Sequence, residues 1–214
     1  MKKILSIAAC LVLAALPLRA QLTADAGYMH AFEKAVIPSL LNSYNTYDTP
    51  MDGVYAGAKY NISLASLVPG LSVAPGANVS ALFGKYFNDS NIKAQELAVN
   101  MPLHVMYTLP VVSDMSVQFM AGPTFQLGIY NKGVDNSSNP THTYDFYKSS
   151  TIGPITLVPA RNAFNVYMSV GAGVEVATRF LVNVGFDFGL MNMSSGENWK
   201  ISRNVLKVGL GYIF

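Results

Sequence analysis

The sequence predicts an all-β fold, a transmembrane antiparallel up-and-down β-barrel of eight strands. Three observations predict it. Eight segments place apolar residues at every second position, the connections between them alternate between short turns and longer polar loops, and the last strand carries an unbroken apolar face to a closing aromatic, Phe214. Successive strand residues point to opposite faces, so period-two apolarity marks a sheet with one apolar side. Composition agrees. The chain of 214 residues is 51% hydrophobic and 12% charged, about half the roughly 25% charge of soluble domains. After residue 20 no apolar run approaches the roughly 20 residues that a membrane helix needs. A barrel strand needs only every second position apolar, which reconciles high hydrophobicity with the missing runs.

Residues 1–20 read as a secretory leader. Lys2 and Lys3 supply the basic start, Ile4–Leu16 the apolar stretch, and Leu18-Arg19-Ala20 a small-residue cleavage site before Gln21. Residues 21–214 then form a single barrel domain. Cleavage would remove three of the 14 basic residues and none of the 12 acidic ones, so the mature chain would carry a net charge of about −1. The basic excess belongs to the leader and points to no nucleic-acid partner. The one cysteine, Cys10, would leave too, taking with it any thiol nucleophile or disulfide.

The first strand is expected over Leu22–Phe32, with Leu22, Ala24, Ala26, Tyr28 and Phe32 on the apolar face and Thr23, Asp25 and Gly27 opposite. Gly53–Ile62 follows, setting Val54 and Tyr60 against Tyr55 and Lys59. Leu71–Tyr86 sets Val73, Val79 and Phe83 against Asn78 and Ser80, with Pro75 a local interruption. Ala94–Leu109 opposes Leu97, Val99 and Tyr107 to Glu96, Asn100 and His104. Met115–Tyr130 opposes Phe119 and Leu127 to Gln118, Thr124 and Gln126. In Asn162–Ala177 the apolar Phe164, Val166, Met168 and Val170 alternate with Asn165, Tyr167, Ser169 and Gly171. Leu181–Met193 places Val182, Val184, Phe186 and Phe188 against Asn183 and Asp187. In Ile201–Phe214, Leu206, Val208, Leu210, Tyr212 and Phe214 oppose Val205, Lys207, Gly209 and Gly211. Each run reaches the roughly 9–11 residues of a tilted membrane-crossing strand.

Short turns are expected near Ser63–Gly70, Pro110–Asp114 and Thr178–Phe180, and longer loops at Glu33–Asp52, Phe87–Lys93, Asn131–Arg161 and Ser194–Lys200. That alternation is the pattern of a bacterial outer-membrane barrel with both termini periplasmic and its long loops extracellular. A soluble lipocalin-like ligand-binding barrel also follows a secretory leader, but it would turn the apolar face inward. Aromatics favour lipid outside. Tyr60, Tyr107, Phe119, Phe180, Tyr212 and Phe214 fall near one end of the apolar face, and Phe32, Phe83 and Phe164 near the other, as two interfacial girdles would.

The opposite face carries Asp25, Lys59, Glu96, His104, Glu175, Asp187, Arg203 and Lys207. A hairpin centred near residue 197 puts Asp187 across from Lys207, and one centred near residue 42 puts Asp25 across from Lys59. Facing opposite charges stabilise strand pairs, and an eight-stranded barrel is only wide enough to be filled by side chains. These residues are expected to form a charge network plugging the lumen. No catalytic constellation is expected. His30 faces lipid without an evident acid–Ser partner, His104 points inward, and His142 lies in a loop; no metal or cofactor motif accompanies them. Lys34, Lys85, Lys93, Lys132, Lys148, Arg161 and Lys200 fall in the outer half or its loops, where a basic rim could meet lipopolysaccharide phosphates.

The terminal strand, with Leu210, Tyr212 and Phe214 on one face, resembles the C-terminal strand of outer-membrane barrels, the segment that barrel-insertion machinery reads. The whole chain from residue 21 resembles the small eight-stranded outer-membrane family that includes the OmpA transmembrane domain and OmpX. The leader ending at Ala20, the Ala121-Gly122-Pro123 strand and the Val208–Phe214 end look more like the Bacteroidetes outer-membrane β-barrel proteins. The resemblance implies an integral, monomeric, non-enzymatic outer-membrane protein without cofactor. Such a protein would support envelope integrity or bind a surface protein or ligand through residues 33–52 and 131–161. The alternative it leaves open is a narrow channel or a PorT-like accessory barrel of a secretion system.

Overall fold

The alternation of β11 (Lys200–Ile213) sets the pattern for the fold: Val205, Gly209 and Ile213 are buried, while Val208 and Leu210 are exposed. The computed structural model describes residues 20–38, 44–86, 89–135, 142–152, 155–196 and 198–214. The leader expected over 1–20 lies outside the described residues, apart from Ala20, which opens β1 (Ala20–Pro38). The other long strands are β2 (Tyr44–Ser63), β3 (Leu71–Tyr86), β4 (Asp89–Val112), β5 (Met115–Asp135), β9 (Phe164–Val176) and β10 (Phe180–Gly189). Three short ones intervene: β6 (His142–Asp145), which pairs with the far part of β5, and the hairpin of β7 (Ser150–Ile152) with β8 (Ile155–Val158).

The eight long strands close into one ring. Their order is β4-β3-β2-β1-β11-β10-β9-β5, and β4 pairs with β5 to complete it. Every pairing in the ring is antiparallel, including the closure of β1 on β11, in which Thr23 meets Ile213 and Val36 meets Lys200. Closure leaves no open edge strand within that ring, the condition for strands in lipid.

Large apolar side chains face outward all round the ring. Tyr60, Phe119, Phe180 and Phe214 are exposed toward the end that carries both chain termini (the terminal end), and Phe32, Phe83 and Phe164 toward the opposite loop end. Polar residues such as Thr23, Asn100, Thr124, Asn165 and Asn183 are buried inside. This is the reverse of a soluble ligand-binding barrel, and it makes the fold a transmembrane one.

Turns at the terminal end are tight. Between β9 and β10, Ala177 and Thr178 both have positive φ, 53° and 56°, and the Arg179 amide donates to the Val176 carbonyl, making a type I′ turn whose twist suits the flanking strands. Gly70, at φ 83°, closes the turn before β3.

The loop end differs from expectation. Glu33–Asp52 is mostly strand, since β1 runs on to Pro38 and β2 starts at Tyr44, in continuous register from Ala20↔Ile62 to Pro38↔Tyr44. Likewise β4 begins at Asp89 and β5 continues to Asp135. Toward the loop end the strict alternation of apolar and polar residues lapses, as in Glu33-Lys34-Ala35-Val36-Ile37, although the hydrogen-bonded ladder continues. A bulge on β5 opposite Leu97/Ala98 adds a further shift, placing Ile129 and Tyr130 outward in succession and turning Asn131 into the lumen.

Candidate functional site

Inward residues stack in layers along the lumen. At the terminal end Glu175 accepts hydrogen bonds from Ser116 Oγ (3.1 Å) and Gln118 Nε2 (2.9 Å) and has no cation beside it among the described residues. Above it lies a cavity of about 60 Å³ whose titratable lining is Asp25, Lys59, His104, Asp187 and Lys207. Lys207 Nζ reaches Asp187 Oδ2 at 2.5 Å. His104 Nε2 sits 3.2 Å from Thr124 Oγ1. Asp25 and Lys59 line the same cavity without a direct ion pair.

The register places both Asp–Lys pairs on a diagonal. Lys207 lies opposite Gly185 and Asp187 opposite Val205, so the hairpin is centred one residue earlier than expected and the pair forms on the diagonal. Asp25 lies opposite Gly57, and Lys59 opposite Thr23. The expected direct facing of Asp25 with Lys59 is therefore corrected to a diagonal across the cavity.

An apolar layer of Met29, Met51, Tyr55, Leu82, Tyr167 and Val205 separates this cavity from the outer part of the lumen. Missing side chains make room for it. A Cβ on Gly209 would stand 2.1 Å from the Tyr55 hydroxyl, so the ring needs glycine beneath it. A polar ladder runs alongside. Tyr167 Oη donates to Gln126 Oε1 (3.1 Å), Gln126 Nε2 to Asn100 Oδ1 (3.1 Å), and Asn100 Nδ2 to Asn78 Oδ1 (2.8 Å) and Ser80 Oγ (2.9 Å).

Toward the loop end four charges meet across the lumen. Arg203 bonds Glu33 Oε2 through Nε (3.0 Å) and Nη2 (2.6 Å), and Glu96 through Nη1 (2.6 Å) and Nη2 (2.8 Å). Arg161 forks onto both oxygens of Glu33 at 2.7 and 3.1 Å, and Asn131 Nδ2 donates to Glu96 Oε2 at 2.7 Å. The Arg203 and Glu33 side chains are 0% exposed and Glu96 is 2%. Two guanidinium planes matched to two carboxylates leave the cluster neutral, the geometry in which buried charges are tolerated.

The segment after β6 folds over this cluster. The Phe146 amide donates to the Asn131 carbonyl, the Arg161 amide donates to the Phe146 carbonyl, and the Arg161 guanidinium lies 5.2 Å from the Phe146 ring centre. Tyr147 packs its hydroxyl onto Gly128, where a Cβ would stand 1.6 Å away. Burial raises the pKa of that phenol.

Of the residues expected to plug the lumen, Glu96 and Arg203 fall in the outer cluster, Asp25, Lys59, His104, Asp187 and Lys207 round the cavity, and Glu175 alone near the terminal end. They form two separate charged layers and not one network. Arg161, expected on the basic rim, is corrected to the interior: it is 5% exposed and bound to Glu33. Lys34, Lys85, Lys93, Lys132, Lys148 and Lys200 are exposed. Leu210, Tyr212 and Phe214 share the outer face, and Leu210 and Phe214 are the most open at 68% and 71%.

Sequence reading missed Glu33, Asn131 and Asp52. Parity could have found Glu33, which continues the inward series 23, 25, 27, 29, 31. It could not have found Asn131, which only the bulge turns inward. Asp52 gives His30 the acidic partner that the sequence had not supplied, with His30 Nδ1 2.7 Å from Asp52 Oδ1 on the outer face. The side chain of His142 lies outside the described residues.

Fold and lumen define a class, the eight-stranded transmembrane barrel whose interior is filled by its own side chains. The sequence matches no protein-family model and no curated protein. Among solved structures the fold is similar to Ail, the attachment invasion locus protein of Yersinia pestis, at 9% identity and TM-score 0.48, covering 91% of this chain and 99% of that one. It is also similar to the outer membrane protein OprG from Pseudomonas aeruginosa, at 12% identity and TM-score 0.46, covering 91% and 96%. A third similar structure is the Neisserial surface protein NspA, at 15% identity and TM-score 0.37, covering 91% and 97%. Likenesses at that level say nothing of function.

Proposed function

We propose that the protein is a non-enzymatic, non-conducting integral barrel of the bacterial outer membrane, of the small OmpX-like or Bacteroidetes type. In this reading it is monomeric, both termini are periplasmic, and the loop end faces outward. It serves envelope integrity and surface contact with a protein or ligand through the parts of residues 33–52 and 131–161 that rise above the lipid. The observation that supports the reading is the Glu33–Arg203–Glu96 cluster, three buried side chains that meet across the lumen at 2.6–3.0 Å. The six exposed lysines suit contacts with lipopolysaccharide phosphates, and the outward Leu210, Tyr212 and Phe214 suit reading by the insertion machinery.

A second reading, a narrow channel or accessory transport barrel, has one observation in its favour: the charged cavity below the cluster. Fractionation with heat-modifiability on gels tests the primary reading. The barrel should leave the membrane only with detergent, shift its band on boiling, and accumulate unassembled when Phe214 is deleted. Release into the periplasm without detergent would contradict it. Conductance in a planar bilayer separates the two readings.

A further inference from the structure

The membrane-facing surface is interrupted by polar groups near its loop end. His30 on β1 and Asp52 on β2 are directly paired in the register, with His30 Nδ1 2.7 Å from Asp52 Oδ1. Tyr28, one outward position nearer the terminal end, donates its hydroxyl to that same oxygen. Both contacts use Oδ1, and the Asp52 side chain is 65% exposed, so Oδ2 faces outward and open.

On its other side Asp52 is paired with Phe83 of β3, whose ring is also outward. One outward step beyond Phe83 stands Lys85, directly opposite Lys93 of β4, and both lysines are exposed. Like charges facing across an antiparallel pair destabilise it, and among the described residues neither lysine has a carboxylate partner. An anion between them would remove the repulsion. Eight residues separate Tyr60 from Asp52 along β2. At the usual strand rise and tilt that is about 20 Å, close to the far edge of an apolar band about 25 Å tall. The polar groups thus sit at headgroup height.

We propose that this outer face of β1–β4 binds, among the outer-leaflet lipids whose phosphates the lysine rim meets, a headgroup that carries a primary ammonium beside its phosphate, for which phosphatidylethanolamine serves as the probe. The ammonium donates to Asp52 Oδ2, with the Tyr28 and Phe83 rings beside it as apolar and cation–π walls. The phosphate lies between Lys85 and Lys93. Asp52 and Lys85 are diagonal neighbours across one strand pair, with Cα atoms about 7–8 Å apart, a span that a phosphate joined to an ammonium through two carbons bridges with the lysine's reach. His30 and Tyr28 hold the carboxylate in place through Oδ1. The inference rests on the lipid-embedded reading proposed above.

The test uses the full barrel folded in detergent micelles, with folding scored by the heat shift, and native mass spectrometry during titration with short-chain phosphatidylethanolamine, phosphatidylcholine or phosphatidylglycerol. One phosphatidylethanolamine should be retained per barrel, about tenfold more tightly than either of the others, the scale of one charge-assisted hydrogen bond. Asp52→Asn should erase the preference for phosphatidylethanolamine over phosphatidylglycerol. Lys85→Gln with Lys93→Gln should weaken both, and these exposed substitutions should leave the heat shift intact. A heat-shifting wild-type barrel that binds the three lipids equally, or an Asp52→Asn barrel that keeps the preference, would overturn this proposal alone. A chain that shows no heat shift in any lipid would remove the barrel reading and this inference with it.

Discussion

The two charged layers of the lumen are built from the same residue types and solve burial in different ways. In the outer layer, Glu33, Glu96, Arg161 and Arg203 meet each other directly, with distances of 2.6–3.1 Å and side chains almost wholly shielded. In the inner layer, Lys207 and Asp187 make one short contact, while Asp25 and Lys59 look across a cavity of about 60 Å³. Arginine dominates the first layer and lysine the second. A guanidinium offers a planar fork that can serve two carboxylates at once, whereas an ammonium on a flexible stem stays close to water where it can. On the reading proposed above, the matched outer layer would be the seal and the looser inner layer a polar filling.

Four substitutions break or sharpen that contrast, each read as the change in unfolding free energy of the barrel refolded into lipid vesicles and titrated with urea. Arg203→Met leaves two buried carboxylates short of partners and should cost the most, about 3–5 kcal/mol. Arg161→Met should cost less, about 2 kcal/mol, since Glu33 keeps its bonds to Arg203. Lys207→Met should cost about 1–2 kcal/mol, because the Asp187 it abandons borders the cavity and can be hydrated there. Lys59→Met should be nearly neutral, within about 0.5 kcal/mol, as it removes a buried ammonium that has no direct ion pair. A double-mutant cycle on Arg203 and Glu96 should show stronger coupling than one on Lys207 and Asp187. Equal couplings would abolish the distinction between the layers.

The strands were legible where lipid imposes strict alternation. Leu71–Tyr86 was bounded in the sequence where β3 begins and ends, and the inward series Val205, Lys207, Gly209 and Gly211 was placed on the face that the structure gives it. Outside the apolar band that constraint lapses. Glu33 and Thr49 looked like loop residues because Glu33-Lys34, Asp48 and the prolines Pro38 and Pro50 break the alternation there, although both are buried in a continuing ladder. Hairpin register was read to within one residue of centre, yet in a sheet that small error turns a direct pair into a diagonal one, as for Asp187 and Lys207. Lys207 still reaches Asp187 across that diagonal, while Lys59 and Asp25, on the equivalent diagonal of the first hairpin, stay apart across the cavity. The Arg161–Glu33 contact joins residues 128 positions apart through a segment folded back over the barrel, and local pattern carries no trace of it.

Single-channel recording in a planar lipid bilayer tests the seal most directly, with wild-type protein beside the Arg203→Met variant. The wild-type barrel should insert, as shown by its heat shift after recovery, and pass no ionic steps, with brief openings confined to the variant. Stable ohmic conductance through wild-type barrels would contradict it, because a continuous water path would then run through the place where Glu33, Arg203 and Glu96 are held to meet.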